Sequence, residues 1–146
     1  MEPVITFFLD PAVRDRGGSF EPPRVGDAGF DIRAAGSLVV ESGQQALVST
    51  GLWLAIPVGW VGIVKDRSSM ALKGIYTHAG VIDASYRGEL KVLLSNRTTD
   101  AFVIEEGTKI AKLVVVPHCG AAKPVASKEM LGSTVRADGG FGSTGR

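Results

Sequence analysis

Cysteine is nearly absent from this chain: Cys119 is the only one in 146 residues. No internal disulfide can staple the fold, so its stability has to come from an apolar core. Histidine is almost as scarce, and His78 and His118 are too far apart in sequence to read as a transition-metal cluster. Net charge is missing as well. With 16 Lys and Arg against 15 Asp and Glu, the formal balance is +1, which excludes a global field able to hold long nucleic acid or an anionic membrane. Any phosphate recognised by such a chain must be met by local groups. No apolar run reaches the length of a membrane span, and the first residues, MEPVITFFLDPAVRDRGG, carry no basic segment ahead of their short apolar run. The expectation is a cytoplasmic protein in a reducing compartment, with neither nucleic acid nor membrane as partner.

What the chain does have is glycine, 19 of them, set between short runs rich in Val, Ile and Leu. VITFFL, FDIRAA, SLVVES, QALVST, LWLAIP, VGIVKD, LKVLLSN, AFVIEE and KIAKLVVVPH recur at spacings of about ten residues, the pattern of an all-β sandwich or barrel. The length suits one domain. One segment breaks the pattern. In DRSSMALKG, Ser68 or Ser69 can cap a short helix through Met70, Ala71 and Leu72, and Gly74 can end it in a left-handed conformation. KLVVVPH does not alternate, so that strand is expected to be covered on both faces. The loose regions are Asp15 to Gly26 and the glycine-rich end.

Four stretches carry candidate chemistry. In AGFDIRA, alternation sends Phe30 and Ile32 inward and leaves Asp31 and Arg33 facing out, which by itself reads as a solvated strand face. In DRSSMALKG, Arg67, Ser68 and Ser69 sit at a helix N-terminus, where free N–H groups, the helix dipole and a guanidinium all favour an anion. Capping explains the serines but not the arginine. GVIDASYRGEL reads as a β-hairpin opened by Gly80 with Arg87 and Gly88 at the turn, and Asp83 is either a turn residue or a reactive carboxylate. The end, RADGGFGSTGR, cannot bury enough apolar surface to fold alone. It is either a frayed terminus or a flap in which Arg136 and Ser143 meet phosphate and Phe141 meets a base.

Taken in order, AGFDIRA, RSSMALKGI, GVIDASYRGELKV, EEGTKIAKLVV and RADGGFGSTG resemble the five motifs of the trimeric deoxyuridine triphosphatases (dUTPases), from Ala28 to Gly145. The resemblance implies an all-β fold, a distorted β-barrel or jelly roll over residues 1–135, with one short helix and a flexible C-terminal arm over 136–146. It implies a homotrimer with shared active sites that hydrolyses dUTP to dUMP and pyrophosphate with Mg²⁺, limiting uracil in DNA and supplying dUMP for dTMP synthesis. Asp83 would then be the general base for water attacking the α-phosphorus. Arg67, Ser68, Ser69 and Arg136 would cradle the phosphates, and Asp31 would hold the metal's waters from outside its coordination sphere. Backbone groups of Gly80, Val81, Ile82 and Asp83 would read uracil, while Tyr86 would lie under the deoxyribose and crowd a ribose hydroxyl. In the arm, Phe141 would stack on uracil, with Gly142, Ser143 and Thr144 at the phosphates. Thr77 and Lys91 lie near further substrate contacts.

The chain also departs from the family pattern. Lys112 stands where glutamine is usual and would contact phosphate directly or lessen metal dependence. Asp66 replaces proline or glycine beside the phosphate cradle, where its charge is unhelpful unless Arg67 or Lys73 pairs it. Met70 and Ser85 replace leucine and an aspartate or glycine. Two other readings compete. The fold-sharing dCTP deaminases place a glutamate where this chain has Leu93 and lack the glycine-rich arm. A non-catalytic trimeric module would have no need to keep Asp83, Tyr86 and the arm.

Overall fold

Short Val- and Ile-rich runs between glycines pair here as antiparallel strands that bury alternate side chains. The computed structural model describes residues 3–140. In chain order these contain β1 (Thr6–Leu9), α1 (Pro11–Asp15), β2 (Phe30–Arg33), β3 (Leu38–Val40), β4 (Gln45–Ala55), β5 (Trp60–Asp66), α2 (Ser68–Leu72), β6 (Ile75–His78), β7 (Val81–Ile82), β8 (Glu89–Asn96), β9 (Phe102–Ile104) and β10 (Lys109–Pro117), followed by a 3-10 turn at Lys128–Leu131. One sheet has the order β1-β4-β8-β6, a second β2-β10-β5-β7, and β3 pairs with β9 as a separate ribbon. The core gathers Leu52, Leu54, Leu90, Val92 and Leu94 from the first sheet and Ile32, Val64 and Leu113 from the second. Val40 and Ile104 of the ribbon and Met70 of α2 also belong to it. The all-β, jelly-roll-like reading holds, but among the described residues the sheets keep free edges at β1, β6, β2 and β7 and do not close into a barrel.

Several local expectations are corrected. QALVST and LWLAIP are one strand, β4, whose pairing with β8 shifts register between Ser49 and Trp53. The break is a bulge at Gly51, with φ of 64°, and a Cβ there would lie 2.6 Å from Val13 Cγ2. Val13 belongs to α1, a second short helix that five residues are too few to reveal by periodicity. Its start is nonetheless written in the sequence, because Asp10 Oδ1 accepts from the Ala12 backbone N at 2.8 Å with Pro11 in the first turn. Neither serine caps α2. The N-cap is Arg67, still extended from β5 at φ −80° and ψ 135°, with no side-chain capping bond, so Ser68 and Ser69 fall inside the helix and remain exposed. Gly74 does end it, at φ 78°.

GVIDASYRGEL is not a hairpin on its own. β6 pairs with β8, from Ile75↔Asn96 to His78↔Leu93, while β7 crosses to the other sheet and pairs with β5 through Gly62↔Ile82 and Ile63↔Val81. The crossing needs two residues of positive φ, Ala79 at 57° and Gly80 at 97°. Gly80 also has no room for a side chain: its carbonyl accepts from Val64 N at 2.8 Å, and a Cβ would stand 3.0 Å from Val64 O. β10 lies between β2 and β5, which pairs both its edges but does not cover both its faces. Ile110, Ala111 and Leu113 are buried, whereas Val114 and Val115 are half-buried and Val116 is exposed, so the expected cover on both faces is not found within the described residues. After Pro117, residues 118–138 are exposed and form no strand. Among the described residues no helix is long and apolar enough to cross a membrane.

Candidate active site

Strand pairing and the start of α2 place three cations from two separate segments around one carboxylate. Lys112 of β10 stands opposite Asp31 of β2; Lys109 Nζ lies 2.7 Å from Asp31 Oδ2, and Arg67 Nε is 3.4 Å from Oδ1. Burial opposes ionisation of Asp31, but the hydrogen bond from Lys109 and the charges of Lys109, Arg67 and Lys112 outweigh it and hold the carboxyl below its ordinary range. Together with Arg33, Arg24 and Gly29 these residues line a pocket of about 410 Å³, in which cations outnumber carboxylates. The chemistry such a pocket accommodates is that of an anion. Close packing leaves no alternative to glycine at its wall, since a Cβ on Gly29 would lie 2.9 Å from Leu113 O.

A second pocket, of about 280 Å³, is lined by Leu47, Val81, Ile82, Asp83, Tyr86, Glu89 and Lys91. It combines an apolar wall from β7 with an aromatic ring and an exposed carboxylate. The loop that builds it is closed on its own carbonyls: Tyr86 N donates to Asp83 O at 3.0 Å, and the Arg87 side chain donates from Nη1 to Ala84 O at 2.7 Å and Tyr86 O at 2.8 Å. The Tyr86 hydroxyl donates to Glu89 O at 2.9 Å, which fixes the ring against the first residue of β8. The Asp83 carboxylate makes no hydrogen bond or ion pair among the described residues.

The structure therefore gathers Asp31, Arg67 and Lys112 in one pocket and Val81, Ile82, Asp83, Tyr86 and Lys91 in another, and the two share no lining residue. Ser68 and Ser69 are exposed on the first turn of α2 next to Arg67. Gly80 sits at the entry to the Asp83 loop. Thr77 is held elsewhere: its backbone N and Oγ1 both donate to Asp66 Oδ1. That contact also settles the partner of Asp66, which is Thr77 and not Arg67 or Lys73. Arg136 lies in an exposed turn, its Nε donating to Gly139 O at 2.8 Å, and lines neither pocket. Phe141, Gly142, Ser143 and Thr144 lie outside the described residues. Sequence reasoning missed Lys109, Arg33 and Glu89. Their only sequence signal was polarity inside strand segments, and nothing in one dimension says which strand neighbours which.

The sequence model of the dUTPase family matches residues 16–145, nearly the whole chain. The chain belongs to the dUTPase family. A deoxyuridine 5'-triphosphate nucleotidohydrolase of Candida albicans is 46% identical over 120 residues, covering 82% of this chain and 76% of the fungal one. One from Anaeromyxobacter is 41% identical over 140 residues, covering 92% and 94%. Among solved structures, a mutant dUTPase of Staphylococcus bacteriophage 80alpha with dUpNHpp superimposes with a TM-score of 0.84 at 26% identity, covering 98% of this chain and 99% of that one. A mutant dUTPase from S. aureus phage phi11, whose structure describes the coordination of a structural Mg(II) ion, gives a TM-score of 0.75 at 26% identity, covering 86% and 99%. The enzyme class of this dUTPase is dUTP diphosphatase.

Proposed function

We propose that this dUTPase hydrolyses dUTP to dUMP and pyrophosphate by attack of water on the α-phosphorus, with Asp83 as general base. The observation that carries the assignment is a contrast among carboxylates. Asp31 is ion-paired with Lys109 and Arg67, Asp66 accepts twice from Thr77, and Glu89 accepts from the amides of Thr50 and Gly51. Asp83, exposed beside Tyr86 in the loop pocket, is the carboxylate of that pocket with its lone pairs uncommitted, so it can orient a water and take its proton. A carboxylate is a weak base for water, and positioning and charge neutralisation must lower most of the barrier.

Arg67, Lys109, Lys112 and Arg33 supply fixed positive charge for the phosphate chain, and the Ser68 and Ser69 hydroxyls add donors at the turn beside it. Among the described residues no three His, Cys, Asp or Glu side chains gather to hold a metal, while Asp31 Oδ1 is the one buried side-chain polar atom without a hydrogen bond. This donor set fits a magnesium ion held chiefly by phosphate oxygens and water, with Asp31 accepting from that water. Bound there, Mg²⁺ would neutralise part of the phosphate charge. In the loop pocket, backbone groups from Gly80 to Asp83 read uracil, and a base with the opposite donor pattern leaves buried groups unpaired. Tyr86 packs under deoxyribose.

The separation of the two pockets supports a homotrimer with shared sites: the loop pocket of one subunit faces the cationic pocket of a second, and the arm that begins at Arg136 arrives from a third. By removing dUTP and releasing dUMP, the enzyme limits uracil in DNA and feeds dTMP synthesis. The test is to incubate the protein with Mg²⁺ and each deoxynucleoside triphosphate and to measure pyrophosphate and monophosphate. Release of dUMP and pyrophosphate from dUTP alone is expected. Ammonia from dCTP would assign a deaminase instead, and tight dUTP binding without any product would assign a non-catalytic module.

A further inference from the structure

Glu89 is the carboxylate of the loop pocket that the proposed chemistry leaves without a role. Where β4 bulges, the ladder to β8 is interrupted, and pairing resumes at Trp53↔Glu89. The gap leaves donors of β4 without ladder partners, and one atom collects them. Glu89 Oε1 accepts from Thr50 N at 3.1 Å, from Gly51 N at 2.9 Å and from the Ser49 hydroxyl. Its other oxygen, Oε2, lies 3.7 Å from Lys91 Nζ, so both ends of the carboxylate are engaged and its side chain is only 17% exposed. The backbone of the same residue holds the Tyr86 hydroxyl at 2.9 Å. The ring reaches that carbonyl by crossing residue 88, which has to be glycine because a Cβ there would collide with the Tyr86 hydroxyl.

We propose that Glu89 is a positioning residue for sugar recognition: its carboxylate clamps the β4 bulge to the start of β8, and its carbonyl fixes the Tyr86 ring that walls the nucleoside pocket. The inference rests on the reading of that pocket as the nucleoside site. A ring anchored to a rigid strand end discriminates against an extra ribose hydroxyl by refusing to yield, whereas a ring on a loosened strand end can shift and admit it. Glu89 therefore acts through Tyr86 and touches no reacting atom.

The test compares kcat and KM for dUTP and for UTP, with UTP taken as a competitive inhibitor where its turnover is below detection, in trimeric protein with Mg²⁺. Glu89→Ala should raise KM for dUTP more than it lowers kcat, and should raise the UTP-to-dUTP ratio of kcat/KM, or of affinity, on the order of tenfold. Glu89→Gln keeps an Oε1 that can accept all three donors and should retain the wild-type ratio. Tyr86→Phe, which loses only the hydroxyl held by Glu89, should shift the ratio in the same direction as Glu89→Ala. A folded Glu89→Ala with the wild-type ratio overturns the proposal; if that variant does not fold, a wild-type ratio in Tyr86→Phe overturns it equally. Wild-type protein that neither binds nor hydrolyses dUTP overturns the pocket reading and this proposal together, whereas selective wild-type enzyme with unaffected variants overturns this proposal alone.

Discussion

Asp66 Oδ1 accepts two hydrogen bonds from Thr77, one from its backbone nitrogen and one from its Oγ1, each 2.6 Å long. Asp66 ends β5 immediately before Arg67 of the cationic pocket, and Thr77 lies in β6 just ahead of the loop that carries Asp83. A carboxylate that looked unhelpful beside Arg67 is thus a brace between the end of β5 and the strand that leads to the Asp83 loop. Its charge is spent on donors that would otherwise lack a strong acceptor.

Replacing Asp66 by alanine should leave the part-buried Thr77 amide without its acceptor, at a cost of about 1–3 kcal/mol. Asp66→Asn keeps an Oδ1 and should cost clearly less. Denaturant unfolding of both variants against wild type measures the difference. An Asp66→Ala protein as stable as wild type would show that solvent replaces the brace at no cost.

Asp83→Asn preserves shape and removes basicity. Turnover of dUTP should fall on the order of 10²- to 10⁴-fold while a non-hydrolysable dUTP analogue still binds, since the wall of Val81, Ile82 and Tyr86 is untouched. Single-turnover kinetics and analogue titration separate the two effects. Near-native turnover would mean that the base lies elsewhere.

A chain cut after Val135 should fold, because the last strand among the described residues ends at Pro117 and none of the described residues beyond it belongs to the buried core, and it should lose most activity. Mixing unfolded Asp83→Asn with the unfolded truncated chain in equal amounts and refolding them together tests the shared site. If loop and arm come from different subunits, about one site in four receives an intact Asp83 and an intact arm. Verified mixed trimers that make no dUMP would refute sharing, since neither parent is active alone.

Acid should weaken the clamp at the β4 bulge. Burial alone would raise the Glu89 carboxyl, but the Ser49 hydroxyl, the amides of Gly51 and Thr50, and the Lys91 charge outweigh it and hold it below the usual glutamate range. With the folded value below the unfolded one, the stabilisation is present above about pH 4.3 and is lost as pH falls through the depressed folded value. The stability gap between wild type and Glu89→Gln should therefore narrow below about pH 4.3, as followed by urea unfolding at several pH values. A gap constant down to acid would show that ionisation of Glu89 adds nothing to the hydrogen bonds.

The all-β class, the glycine that ends α2 and the family were legible in the sequence alone. These features are local: strand-length apolar runs, a positive-φ position, and short motifs in order are written within a few neighbouring residues. Tertiary structure decided what those stretches do to one another. It made one bent strand of QALVST and LWLAIP because Val13 and Glu89, far away in the chain, close around Gly51. It sent β7 to β5 and left β6 to pair with β8, set Lys109 and Arg67 on Asp31, and gave Asp66 to Thr77. Strand register is fixed by burial summed over whole sheets, so the partner of a given charge is a property of the packed sheets and cannot be read along one strand.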